Sequence, residues 1–136
     1  MPEPLPSPTV REDEPITRFC TQRKNHMRSD KGRGKYPLFL PLPYKELSVA
    51  RTQGMSDARI RQIAVEHVPV PVKGHATVHA ALVLQSGLTF DPNGDPYPQH
   101  ADVIGWSGDQ AHDRTVAQVL ADASALVDYE GPARSS

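Results

Sequence analysis

Cysteine, long apolar runs and phosphate-loop glycine motifs are scarce or missing in this sequence. Cys20 is the single cysteine, which excludes an intramolecular disulfide and a multi-cysteine zinc site. No apolar run approaches the roughly 20 residues that cross a bilayer. The N-terminus has no basic segment followed by an apolar one, as a signal peptide would. We therefore predict a soluble, cytoplasmic protein without a membrane partner.

Apolar residues are also sparse, at 38% of the chain, whereas proline is abundant, with 14 residues. Five prolines and four carboxylates fall within residues 1–15. Such a segment buries too little apolar surface to offset the entropy lost on ordering. The sequence thus predicts a disordered tail over residues 1–15, a single domain over residues 16–130 and a frayed C-terminus over residues 131–136.

Apolar periodicity within that domain predicts more strands than helices. Alternating or continuously apolar segments indicate strands at residues 16–22, 45–52, 75–84 and 101–106, with a proline-interrupted edge strand at 36–42. Apolar residues at helical spacing indicate helices at 57–66 and 109–129. Because the elements do not alternate strictly, we predict an α+β fold, a small, mostly antiparallel sheet with two helices packed on one face.

The formal net charge of −1 conceals an uneven distribution along the chain. Residues 18–61 hold eleven Lys/Arg against three Asp/Glu, and residues 62–136 hold three against nine. Seven of the cations lie within eighteen positions: Arg18, Arg23, Lys24, Arg28, Lys31, Arg33 and Lys35. This basic loop predicts salt-dependent binding of a phosphate-bearing ligand, either nucleic acid or a nucleotide. Alternatively, the loop pairs with the acidic half of the chain, or contacts an acidic protein partner.

A second group of polar residues lies in the segment 45–52. Glu46 and Ser48 share one face of a strand, and Arg51 follows close to the turn at Gly54. An ion pair between Glu46 and Arg51 at a sheet edge is the structural interpretation. The functional interpretation has Arg51 and Arg18 binding an anion, with Glu46 or His100 transferring a proton.

Histidines form the third group. His75 and His79 are four residues apart, and His100 and Asp102 share one face of an extended segment. His100 with Asp102 follows a turn-rich loop and is predicted to be a functional pair. Convergence of the three histidines on a divalent metal is an alternative. HxxxH without the HExxH glutamate is a common chance pattern, so we predict neither a metal site nor a cofactor.

The segments around these residues resemble a group of short, uncharacterised bacterial proteins with no assigned activity. The resemblance rests on Arg18-Phe19, Phe39-x-Pro41, the ELSVxR segment from Glu46 to Arg51 and the HADxIGW segment from His100 to Trp106. It extends from about Ile16 to Val127. It implies that Arg18, Glu46, Ser48, Arg51, His100 and Asp102 act together, and it names no reaction.

Three functions are compatible with these patterns. The first is a small cytosolic accessory or regulatory protein that binds nucleic acid or a nucleotide through the basic loop and a polar pocket of Arg51, Glu46 and His100. Ser48 and Asp102 are further ligand-binding residues in this hypothesis. The second is a metal-independent hydrolase, such as an RNase-like toxin, with His100, Glu46 and Arg51 as catalytic residues. The third is a non-catalytic interaction subunit of a larger complex.

Overall fold

A six-stranded antiparallel sheet forms the centre of the molecule. The computed structural model describes residues 6–41 and 46–130. The strands are β1 (Pro15–Cys20), β4 (Leu47–Arg51), β5 (Gly74–His79), β6 (Thr89–Asp91), β7 (His100–Ile104) and β8 (Ala125–Asp128), in the order β6-β7-β4-β1-β5-β8. The short strands β2 (Met27–Arg28) and β3 (Arg33–Gly34) form a separate hairpin. The α+β prediction with a mostly antiparallel sheet is confirmed.

In the part of the chain that the structure describes, four helices and one 3₁₀ turn accompany the strands. The helices are α1 (Arg23–His26), α2 (Asp57–His67), α3 (Ala80–Gln85) and α4 (Gln110–Ala123), and the 3₁₀ turn is Tyr36–Phe39. Ser56 caps α2 by accepting a hydrogen bond from the Arg59 backbone N–H, and Asp109 caps α4 in the same way through His112. Within the described residues, no helix is long and apolar enough to cross a membrane.

The two longer helices contribute to different apolar clusters. Val116 and Leu120 of α4 belong to the large cluster that includes Leu47 of β4. Ile63 of α2 instead belongs to a small cluster with Ala50 of β4. Because residues at odd and even positions of a strand point to opposite faces, α2 and α4 pack on different faces of β4 rather than together on one.

Three of the predicted strands and helices differ in secondary structure from the observed elements. Residues 36–39 form a 3₁₀ turn instead of an edge strand, because proline has no backbone N–H to donate to a ladder. The predicted strand 75–84 ends at His79 and continues as helix α3. The predicted helix 109–129 ends at Ala123, and residues 125–128 form β8, which pairs with β5.

The N-terminal segment was predicted to be disordered, but part of it makes defined contacts. The backbone N–H groups of Ala80 and Ala81 donate to the carbonyls of Glu14 and Glu12. The Glu14 side chain is buried and paired with Arg51. Residues 6–14 are thereby connected to the sheet. The remainder of the predicted tail, residues 1–5, and the predicted frayed end, 131–136, lie outside the described residues.

Candidate functional site: the Arg18 cleft

A cleft lies beside the point where β1 and β4 stop pairing. Their register covers Ile16 opposite Arg51 and Thr17 opposite Ala50. Beyond it, the Arg18 side chain reaches from β1 to the backbone of β4. The cleft has a volume of about 310 Å³ and is lined by Arg18, Phe19, Thr21, His26, Ser48, Val49, His67, Val68, Pro69, Pro96, Tyr97 and His100. Three predicted site residues, Arg18, Ser48 and His100, therefore share one cavity. We call it the Arg18 cleft.

Among the described residues that line the cleft, Arg18 is the only arginine, and its partners are neutral. Its Nε donates to the Leu38 carbonyl at 2.8 Å, and its Nη1 donates to the Ser48 carbonyl at 2.7 Å. No carboxylate in the described part of the chain lies within ion-pair distance of it. Burial lowers the pKa of Arg18 to about 10, so the guanidinium remains charged at neutral pH. The cleft thus contains a positive charge that no described residue neutralises.

His26 presents a hydrogen-bond donor to the cleft. Its Nδ1 accepts from the backbone N–H groups of Thr21, at 3.1 Å, and Gln22, at 3.3 Å. A neutral imidazole that accepts at one nitrogen carries its proton on the other, so Nε2 is the donor. Burial and the neighbouring Arg18 charge both lower the pKa of His26. The ring therefore stays neutral and can donate to an anion.

His100 has the complementary tautomer. Its Nδ1 lies 2.7 Å from Asn93 Oδ1, an oxygen that can only accept. That orientation of the amide is set by its other end, because Asn93 Nδ2 donates to Asp102 Oδ2 at 2.7 Å. Ser48 Oγ donates to the second oxygen of the same carboxylate at 3.3 Å. His100 Nε2 lies 3.8 Å from Asp102 Oδ1, which is too far for a hydrogen bond. In the neutral ring with its proton on Nδ1, Nε2 carries a basic lone pair.

Tyr97 and His67 form an aromatic wall of the cleft. Their rings stack with centroids 4.7 Å apart, and the Tyr97 ring meets the His100 ring edge-on at 5.4 Å. Burial raises the pKa of Tyr97 to about 12, so its hydroxyl stays protonated. Within the described residues this hydroxyl makes no hydrogen bond, and it can donate to a ligand.

Two of the residues predicted to be catalytic lie outside the cleft. Arg51 is buried and pairs with Glu14 through two contacts of 2.9 Å, and it also donates to the Ser7 carbonyl at 2.6 Å. It therefore attaches the N-terminal segment to the sheet. Glu46 is an exposed residue immediately before β4, and it does not line the cleft. The structure thus joins Arg18, Ser48, His100 and, through hydrogen bonds, Asp102.

The basic loop is partly neutralised by the acidic half of the chain. Its other arginines form ion pairs: Arg23 with Asp128 and Glu130, Arg28 with Asp30, and Arg33 with Asp122. Lys24, Lys31 and Lys35 have no ion pair in the part of the chain that the structure describes. Among residues 18–35, the cations left without a carboxylate partner are therefore Arg18 and these three lysines.

The three histidines considered for a metal site do not meet. His75 and His79 lie on β5, and His100 lies on β7, with β4 and β1 between those strands. His75 Nδ1 is bonded to the Tyr129 hydroxyl at 2.7 Å, and its Nε2 lies 3.5 Å from Asp57 Oδ1. Among the described residues there is no group of three or more potential metal ligands.

Sequence reasoning missed His26, His67 and Tyr97 as residues of the cleft. His26 lies within the basic loop and is its single histidine among seven cations. Counting charges alone gave this imidazole no role. Tyr97 is the sole aromatic residue of the turn-rich segment 91–99, where a large ring is unexpected. For His67, at the end of α2, no local signal exists, because its stacking on Tyr97 is a tertiary contact.

Comparison of the chain with family models, curated proteins and solved structures gave no match.

Proposed function

We propose that this chain is a small accessory protein of the cytosol that binds a phosphate-bearing ligand, a nucleotide or nucleic acid, in the Arg18 cleft. The unpaired charge of Arg18 carries the proposal. This half-buried guanidinium is bonded, within the described residues, only to carbonyls, so it has given up part of its hydration without gaining a counter-charge there. A bound anion would supply that charge through a charge-assisted hydrogen bond.

The other groups of the cleft favour the same class of ligand. His26 Nε2–H and the Tyr97 hydroxyl are neutral donors beside the cation, a set that suits an anion with several acceptor oxygens. Phe19 and the stacked rings of His67 and Tyr97 offer flat surfaces for a nucleobase. A phosphate joined to a base therefore fits both the polar and the aromatic parts of the cleft.

The test is a binding titration with adenosine monophosphate and a short RNA at low salt. A hydrogen bond to a charged group contributes about 1.5–3 kcal/mol, so we expect Arg18→Gln to weaken both ligands by about tenfold or more. Lys73→Gln removes one charge from a residue that does not line the Arg18 cleft, and should bind as the wild type does.

Arg18 also bonds two carbonyls, so a loss of binding in Arg18→Gln must be separated from a loss of folding. Tyr97→Phe removes a hydroxyl that forms no hydrogen bond in the described residues, and circular dichroism should match the wild type. We expect this variant to bind adenosine monophosphate about tenfold more weakly. Wild-type protein that binds neither ligand would refute the proposal and favour the role of a non-catalytic interaction subunit.

A hydrolase that acts on the same ligand is the second candidate, favoured by the His100 tautomer. Asn93 holds the Nδ1 proton, so Nε2 is available to take a proton from an attacking hydroxyl or water while Arg18 stabilises developing negative charge. Arg18 takes the place proposed for Arg51 in the sequence analysis. RNA cleavage that is lost in His100→Gln supports this candidate, whereas equal cleavage by both proteins would refute it.

A further inference from the structure

A second cavity lies next to the Arg18 cleft, along the hairpin β2–β3. Its volume is about 550 Å³. Its lining includes the four cations Lys24, Arg28, Arg33 and Lys35 and the two carboxylates Asp30 and Asp122. We call it the basic groove. Cations outnumber carboxylates in its lining, although the sequence as a whole is slightly acidic.

Two lysines of the groove have no part in the ion pairs among the described residues. Arg28 lies 4.0 Å from Asp30, and Arg33 lies 3.4 Å from Asp122, which accounts for both carboxylates. Lys24 and Lys35 have no carboxylate partner among the described residues, although Lys35 Nζ donates to the Lys24 carbonyl. The groove therefore keeps a positive charge of its own, separate from that of Arg18.

One short helix separates the groove from the cleft. Lys24 and Asn25 of α1 line the groove, and His26, the next residue, lines the cleft. A second connection is the 3₁₀ turn, because Tyr36 lines the groove while the Leu38 carbonyl accepts from Arg18. Because consecutive residues of α1 line the two cavities, one continuous polynucleotide can contact both.

We propose that the basic groove and the Arg18 cleft bind neighbouring nucleotides of one single-stranded nucleic acid, with backbone phosphates in the groove and one nucleotide in the cleft. This inference rests on the proposed function and narrows its ligand to a polynucleotide. The cleft, at about 310 Å³, lies at the lower limit of small-molecule pockets, about 300–1,000 Å³, and suits one nucleotide. A base can enter an aromatic-walled cleft only when it is unpaired, so a duplex does not fit.

The experiment compares three ligands: adenosine monophosphate, a single-stranded RNA of about ten nucleotides, and the duplex of the same RNA. About ten nucleotides is within the usual site size of single-strand-binding domains. Binding is measured by calorimetry for the mononucleotide and by fluorescence anisotropy for the RNAs, at several salt concentrations. We expect the single strand to bind at least tenfold more tightly than the mononucleotide and the duplex.

Charge variants then test which residues provide that advantage. Lys24→Gln and Lys35→Gln should each reduce the ratio of single-strand to mononucleotide affinity, and flatten the slope of log affinity against log salt by about 0.7, the value for one phosphate contact on a single strand. Lys73→Gln, outside both cavities, serves as the matched control and should keep the wild-type slope.

The outcomes separate this inference from the proposed function. If the mononucleotide binds and the single strand binds no better, the inference fails and the Arg18 cleft stands. If neither binds, both fail. Equal weakening by Lys73→Gln and Lys24→Gln would show diffuse attraction instead of a groove, and duplex binding as tight as that of the single strand would exclude the single-strand assignment. Polyglutamate that binds more tightly than the single-stranded RNA at the same salt concentration would overturn the inference in favour of an acidic protein segment.

Discussion

Arg18 and Arg51 occupy neighbouring strands of the sheet and differ in what surrounds their guanidinium groups. Arg51 is 5% exposed and faces the buried carboxylate of Glu14, whereas Arg18 contacts two carbonyls. Burial pulls the pKa of Glu14 upward, but hydrogen bonds from Arg51 and the Arg11 backbone N–H outweigh it and lower the pKa. From the sequence, both arginines are equally plausible anion ligands. Their partners in the fold indicate that Arg51 is structural and that Arg18 is available to bind an anion.

At Arg51 we predict a large effect on stability. Arg51→Ala should lower the free energy of unfolding by about 3–5 kcal/mol, because it leaves the Glu14 carboxylate buried without its partner. Urea denaturation at neutral pH measures the change. The double variant Arg51→Met/Glu14→Gln removes both charges and should recover a substantial part of the loss. An Arg51→Ala protein as stable as the wild type would contradict the buried ion pair.

Among the elements, those with a strong local signal were predicted well. Helix α2 was expected at residues 57–66 and is observed at Asp57–His67, because Ser56 is a good cap and Ile60 and Ile63 lie on one face. Strand β8 was missed because residues 125–128 continue the apolar pattern of α4. A tertiary contact ends that helix: Ser124 Oγ donates to the Ala121 carbonyl and accepts from the Gly34 backbone N–H.

The Arg18 cleft could be predicted only in part, for a related reason. Ser48 and Asp102 lie opposite each other in the pairing of β4 with β7, so two short sequence patterns far apart in the chain meet across one ladder. The cleft itself depends on where the pairing of β1 with β4 ends and on where the loop carrying Tyr97 packs. Neither of these depends on local sequence. Residue type and spacing could therefore identify individual candidate side chains but could not predict which of them share one cleft.

For the edge strand β8, the prediction concerns Gly74, its partner on β5. A Cβ atom placed on Gly74 would lie 2.5 Å from the Val127 carbonyl oxygen and 2.9 Å from Met27 Cε. Gly74→Ala should therefore displace β8 and lower the free energy of unfolding by about 1–3 kcal/mol. Hydrogen exchange of the β8 amides should accelerate in this variant.

Gly54→Ala is the control for that substitution. A Cβ on Gly54 meets nothing within 4 Å, so its cost is limited to the positive φ of 76°, about 1–2 kcal/mol, and β8 should exchange as in the wild type. Accelerated exchange of β8 in both variants, or in neither, would contradict the close approach at Gly74.

Over the whole molecule, the contrast between a basic and an acidic half is reduced by folding. The basic loop packs against the C-terminal strand, where Arg23 and Ser29 both contact Asp128, and against α4, where Arg33 contacts Asp122. What remains of the positive charge in that loop is concentrated in the groove, in the cleft and at Lys31. Long-range steering of an anion would therefore converge on the region around α1, which lies between the groove and the cleft.

The ion pair between the two halves predicts how stability depends on pH. The hydrogen bond from Arg23 lowers the pKa of Asp128 to about 2, assisted by Ser29 and the Glu130 backbone N–H and opposed by burial. An unfolded aspartate titrates near 3.9. Because the folded pKa is the lower one, the stabilisation is fully present above about pH 4 and is lost as the pH falls through about 2. Asp128→Asn should thus lower the free energy of unfolding by about 1–2 kcal/mol at pH 7, a value reduced for the partial exposure of Arg23.

The measurement is urea denaturation of wild type and Asp128→Asn from pH 7 to pH 2. The two proteins should converge in stability as the pH approaches 2, because the wild-type carboxyl then becomes neutral as the asparagine is. Asp122→Asn is the control: its carboxylate is 50% exposed, and its loss should cost less than about 1 kcal/mol. If the difference in free energy of unfolding between Asp128→Asn and wild type persists unchanged at pH 2, the effect comes from packing. The contact between the basic loop and the C-terminal strand would then depend on packing and not on the ion pair.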